Sequence, residues 1–197
     1  MKRRMFFVAV AVVVVLGAVW AIAGDRGETV THHAAKSEQS MPAMGPPEQM
    51  NDLQWLEGTW DVVMQSRWDP SQDWMTSKGI STYMYVLGGS AMHFVYKSEF
   101  MGKPFEGSGI QCYDRETKQW QVVWTDNMSA RISMYEGTRT GDKTVMTGED
   151  VYEGQTFLSR ITTSKETKTS FDWMMEYSMD DGQTWMVSGK AKYTRRS

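Results

Sequence analysis

From Thr59 to Thr194 apolar and polar residues alternate with period two, in short runs separated by turn clusters. Alternation of this kind puts every second side chain on one face of a strand. The runs predict strands over 59–67, 76–87, 91–100, 105–113, 119–126, 132–139, 143–151, 156–164, 169–178 and 184–194. The turn clusters between them include Leu87-Gly88-Gly89-Ser90, Met101-Gly102-Lys103-Pro104, Thr140-Gly141-Asp142, Glu153-Gly154 and Asp180-Asp181-Gly182. Ahead of the first run, Pro46-Pro47 starts a short helix anchored by Met50, Leu53, Trp55 and Leu56, and Gly58 ends it. No second helical pattern follows. The expectation is an all-β, about ten-stranded antiparallel up-and-down barrel with a short N-terminal helix, because closure removes unpaired edges.

One face of each strand is apolar. Trp60, Val62 and Met64 share a face, as do Met92, Phe94 and Tyr96, then Trp120, Val122 and Trp124, then Phe171, Trp173, Met175 and Tyr177. The opposite faces carry Asp61, Gln65, Lys97, Gln121, Asp172 and Glu176. From residue 47 onward there are 13 Met and 8 Trp but only 4 Leu and 4 Ile. Met fills irregular or adaptable spaces, and Trp offers a broad flat surface with one N–H donor. Two interiors fit this composition: a filled core, or an apolar cavity for a hydrophobic or planar ligand. If the barrel binds, the expected wall is Trp60, Tyr96, Trp124, Met134 and Trp173, with Asp126 and Arg131 at the rim. Asp126 follows Trp124 at strand spacing, and Arg131 across the turn is its expected ion-pair partner. The plainer reading of Asp126-Asn127 is a loop cap.

The beginning of the chain reads differently. Lys2, Arg3 and Arg4 precede the uncharged run Met5–Ala23, which ends Ala21-Ile22-Ala23 before Gly24. A basic start, an apolar stretch and a small-x-small end predict a signal peptide over 1–23. Retained, the same run would make a helix of roughly 28 Å, long enough for a membrane anchor. Either way the chain is expected to be exported, to the periplasm or beyond the cell, with a membrane contact only if residues 5–23 stay in place. Residues 24–46 form a polar tether without period, and residues 47–197 the barrel domain. In the tether, His32-His33 and Met41-x-x-Met44 offer imidazole and thioether groups that suit copper, against the plainer reading of a solvated linker.

Charge and cysteine content narrow the chemistry. The full chain has 21 basic and 24 acidic residues, a net of −3. Without residues 1–23, which carry three basic groups and no acid, the balance is 18 against 24, or −6. No nucleic-acid partner is expected of such a chain. The single Cys112 excludes an internal disulfide framework. A Cys112–His93 dyad would need contact across nonadjacent strands, and Cys112 reads more simply as a small buried residue beside Ile110. There is no G-x-S-x-G, H-E-x-x-H, P-loop or dinucleotide glycine pattern. No catalytic set, metal or cofactor is expected. Ser178-Met179-Asp180-Asp181-Gly182-Gln183-Thr184-Trp185 matches the S-x-D-x-G-x-T-W box found in propellers, but one copy makes a hairpin turn, not a propeller.

Several motifs occur together. Gly58-Thr59-Trp60 is similar to the start of lipocalins and other calycin barrels, whose Trp closes the barrel base. It is followed in order by Leu87-Gly88-Gly89, Met101-Gly102-Lys103-Pro104-Phe105-Glu106-Gly107, Tyr113-Asp114, Trp124-Thr125-Asp126-Asn127-Met128-Ser129 and Glu136-Gly137. Across residues 47–197 this set resembles the exported bacterial proteins grouped as domain of unknown function 1579. The resemblance implies a calycin-like barrel and no activity. Relatives in the wider calycin group bind small hydrophobic molecules or haem. The haem-binding nitrobindins use a His near the C-terminal end. Here the last strand has none, and His93, alternating with Met92 and Phe94, is expected to face outward.

Overall fold

The computed structural model describes residues 44–197. The predicted signal peptide and nearly all of the predicted tether, including His32, His33 and Met41, lie outside the described residues. Met44 is exposed.

Glu48–Leu56 form a 3₁₀ helix, and ten strands follow: β1 Gly58–Ser66, β2 Met75–Val86, β3 Ala91–Phe100, β4 Lys103–Asp114, β5 Gln119–Asp126, β6 Ser133–Thr140, β7 Lys143–Tyr152, β8 Gln155–Ser164, β9 Ser170–Ser178 and β10 Met186–Arg195. Each strand pairs with its neighbours in sequence, and β1 pairs antiparallel with β10, so the sheet closes into a barrel without edges. The helix is a 3₁₀ helix for a reason visible in its spacing. Met50, Leu53 and Leu56 recur every three residues, the repeat of a 3₁₀ turn, and all three are buried.

The helix closes one end. Trp60, at the start of β1, is fully buried, and its indole Nε1 donates to the Leu56 carbonyl at 2.8 Å. The Arg195 guanidinium lies over the Trp60 ring, 4.4 Å from its centroid. Arg195 also donates to the carbonyls of Glu57 (2.7 Å), Lys168 (2.5 Å) and Trp55. One cation thus ties together the helix end, the β8–β9 turn and the last strand. The connections after β1, β3, β5, β7 and β9 gather at the other end, which is the mouth.

The β9–β10 turn is built as the box motif predicts. Asp180 accepts from the Thr184 amide (2.8 Å), the Thr184 hydroxyl (2.6 Å) and the Ser178 hydroxyl (2.7 Å). Gly182 has φ of +84°, and the Trp185 indole donates to its carbonyl at 3.0 Å. Outside the barrel, Arg160 covers the Trp185 ring at 4.0 Å and pairs with Glu176 at 2.8 Å.

Candidate functional site

The interior is hollow. A cavity of about 830 Å³ runs from the helix at the floor to the loops at the mouth. Its wall is aromatic but thin, because strand glycines seat the rings. A Cβ at Gly79 would meet the Tyr96 ring at 2.6 Å, and one at Gly107 the Trp124 ring at 2.1 Å. A Cβ at Gly109 would meet Phe94 at 2.3 Å. With no side chain on the glycines, the rings lie along the sheet instead of filling the centre. Phe94 stacks on Trp124 (centroids 5.7 Å apart, planes at 16°) and on Tyr83 (5.3 Å, 21°), giving a flat aromatic strip.

Five of the seven residues expected at the site line this cavity: Tyr96, Trp124, Asp126, Arg131 and Trp173. Two do not. Trp60 lies in the closed floor, packed edge-on against Trp55 and Phe171. Met134 is 47% exposed on the outer face. Its register partner is Val123, which is itself opposite Ile110, so Met134 extends an apolar row across the outside of β4, β5 and β6. The inward residues of β6 are its neighbours Ser133 and Tyr135.

The expected Asp126–Arg131 pair is also absent. Asp126 accepts from the Trp124 indole at 2.9 Å and from the amides of Met128 (3.0 Å) and Ser129 (2.6 Å), so it both caps the loop and anchors the ring. Arg131 pairs instead with Asp150 at 2.9 Å. Asp150, on the inner face of β7, further accepts from Ser133 (2.6 Å) and Tyr135 (2.7 Å). Burial pushes the Asp150 carboxyl up, but its hydrogen bonds and the Arg131 charge outweigh burial and hold it below the usual range. Burial first, then the Asp150 charge, raises the Tyr135 hydroxyl above its ordinary value. Tyr83 is pushed up to about 12 by burial.

Sequence reasoning did not find Asp150, nor a second buried carboxylate deeper in. Glu166 borders the cavity near the floor with its side chain 2% exposed. It pairs with Arg139 and accepts from Thr163 at 2.8 Å. Both acids sit among residues that read as ordinary polar strand and turn positions, and only their contact with Arg marks them out. Trp68 lies in the β1–β2 connection, which overhangs the mouth, where Trp68 lines the opening and stacks on Tyr152.

The Cys112–His93 pairing does not form. β3 and β4 are in fact neighbours, but the register puts His93 opposite Ile110. His93 faces outward, and its Nε2 lies 2.8 Å from the Ser108 hydroxyl. Cys112 is half-buried and opposite Gln121. Burial and then Asp114 raise its thiol, the opposite of what a nucleophile needs. Among the described residues no three His, Cys, Asp or Glu side chains stand together as a metal-ligand set.

The family described as "Protein of unknown function (DUF1579)" matches residues 45–195. The chain belongs to that family. No curated protein matches it. Among solved structures, the Rv2717c protein from M. tuberculosis is similar, at 13% identity and a TM-score of 0.54, over 77% of this chain and 99% of that one. The S-type phycobiliprotein lyase CPES from Guillardia theta is similar at 6% identity and a TM-score of 0.50, over 75% of this chain and 92% of that one. At such identities the likeness concerns the barrel fold alone, and the 1579 family brings no assigned activity.

Proposed function

We propose that this member of the 1579 family is an exported, noncatalytic barrel that holds a small hydrophobic or planar ligand. The observation that carries the reading is the cavity: about 830 Å³, closed at the floor, open at the mouth and walled by flat aromatic rings. Its volume is in the range of small-molecule sites, roughly 300–1,000 Å³. A filled barrel acting only through its outer surface would have no need of glycines that hold aromatic rings back from the centre. The basic start and the apolar run Met5–Ala23 support export.

Native mass spectrometry of the protein purified from its source tests the binding role. A co-purifying small molecule, released on unfolding, is the expected result. A barrel that is empty and also takes up no hydrophobic fluorophore would overturn it. N-terminal sequencing of the same material tests export, with Gly24 as the expected first residue.

A further inference from the structure

Gln111 lies on the inner face of β4 and borders the cavity. Its register partners are Met92 on β3 and Val122 on β5, and paired residues point to the same side of a sheet. Both partners are buried, in an apolar cluster with Leu53 and Met146 against which Ile161 and Met175 pack. A carboxamide thus stands in an apolar stretch of the cavity wall. It makes no hydrogen bond with any described residue. The side chain is half-buried, and both its oxygen and its nitrogen keep accessible surface. On the inner face of a closed barrel, that surface opens on the cavity.

Other polar groups nearby are in a different condition. Gln121, on the outer face of the next strand, donates to Glu136 at 2.7 Å and to Asp114 at 3.4 Å. Inside, Asp126 is held by Trp124 and two amides, Asp150 by Arg131, Ser133 and Tyr135, and Glu166 by Arg139 and Thr163. The cavity serines Ser66, Ser77 and Ser98 lie toward the mouth, at the ends of β1, β2 and β3. Gln111 lies on the floor side of the aromatic strip. Phe94 and Trp124 flank Gly109 in register, and Gln111 is the next inward side chain along β4, roughly 7 Å further from the mouth.

Building on the binding role proposed above, we infer that Gln111 selects the ligand, and that the ligand is a flat apolar molecule with an amide or lactam edge. A ring system lying on the Phe94–Trp124 strip brings its edge to the Gln111 carboxamide. A ligand that fills this part of the cavity displaces water from that group, and loses affinity unless it replaces the bonds. A carboxamide offers N–H donors beside a carbonyl acceptor. The group that answers both at once is a second amide edge, an N–H beside a C=O. Among apolar walls such a bond discriminates strongly, because a ligand without it leaves the Gln111 amide unpaired.

A matched pair of probes tests this. Phenanthrene and phenanthridinone share one flat tricyclic frame, and the second carries a lactam edge. Equilibrium dialysis with the full chain compares each probe between the wild type and Gln111→Leu, so that the difference in probe hydrophobicity cancels. Phenanthridinone should bind the variant more weakly by about three- to tenfold, the range of one neutral hydrogen bond. Phenanthrene should bind it no more weakly than it binds the wild type. The unfolding midpoint should not fall, since the lost group had no protein partner. Gln111→Met keeps the side-chain length and gives the same comparison should the leucine variant fail to fold. An undiminished affinity for phenanthridinone, or an equal loss for both probes, would overturn the amide inference while leaving a binding barrel. Failure of both probes to bind the wild type would overturn the binding role with it.

Discussion

The indole of Trp124 lies directly against the bare Cα of Gly107, so close that a Cβ there would stand 2.1 Å from a ring carbon. The Asp126 carboxylate, on the register partner of Gly107, accepts the indole N–H at 2.9 Å. A glycine and an acid side by side on β4 and β5 hold the same edge of the ring, and the space in front of it stays open. Gly107→Ala should therefore push the indole off the wall and into the cavity. The expected result is a loss of about 1–3 kcal/mol in stability, as for an overpacked core, together with weaker uptake of a hydrophobic fluorophore. Urea unfolding and a fluorophore titration read the two effects separately.

Trp124 and Trp185 make a paired test of where binding occurs. Each has a bonded indole N–H, but Trp124 faces the cavity and Trp185 the outside. Trp124→Ala should cost about 3–5 kcal/mol of stability and most of the fluorophore affinity. Trp185→Ala should weaken the β9–β10 hairpin and leave affinity unchanged. If Trp124→Ala is destabilised yet still binds fully, the residue is plain core.

Arg139 and Glu166 form an ion pair with side chains 14% and 2% exposed. Arg139→Met would leave the carboxylate buried without its counter-charge. That should cost about 3–5 kcal/mol, measured by urea unfolding. Adding Glu166→Gln to the same protein should recover part of the loss, because the stranded charge is then removed.

The Asp180 turn predicts an acid-side effect. Hydrogen bonds from the Thr184 hydroxyl and amide and from Ser178 lower the carboxyl from its ordinary 3.8 to about 2. The folded state therefore favours the charged form. Its contribution is complete above about pH 4 and disappears as the pH falls through about 2. Between those limits the wild type should lose stability more steeply than Asp180→Asn, which has no proton to take up. Parallel slopes for the two proteins in acid unfolding would contradict the assignment.

The strands were legible because a barrel in water makes one face of every strand apolar, and period two records it. The run predicted over 105–113 is Lys103–Asp114, and that over 76–87 is Met75–Val86. The last run is shorter at its start, since Gln183, Thr184 and Trp185 belong to the turn and β10 begins at Met186. Facing was less legible than existence. Met134 is apolar yet outward, because packing beside Val123 on the outer surface suits a Met nearly as well as the interior does. Trp60 shares its face with Val62 and Met64, but alternation does not say how far along the barrel the cavity reaches, and the helix fills the end where Trp60 lies. Arg131 follows a loop whose path decides its partner, and loop paths leave no period. The signal that was present and unused is glycine inside strand patterns. Gly79, Gly107 and Gly109 each mark a ring pressed against the backbone.

The pairing of β1 with β10 has a topological consequence. The helix that precedes β1 and the chain's last residues meet at the floor, where the Arg196 amide donates to the Thr59 carbonyl at 2.9 Å. The barrel is a hoop whose two loose ends sit side by side, away from the opening. A short peptide joining them would complete the hoop, which could then be cut at any mouth loop and keep all ten pairings. Cargo fused after Ser197 would hang from the floor, away from the mouth.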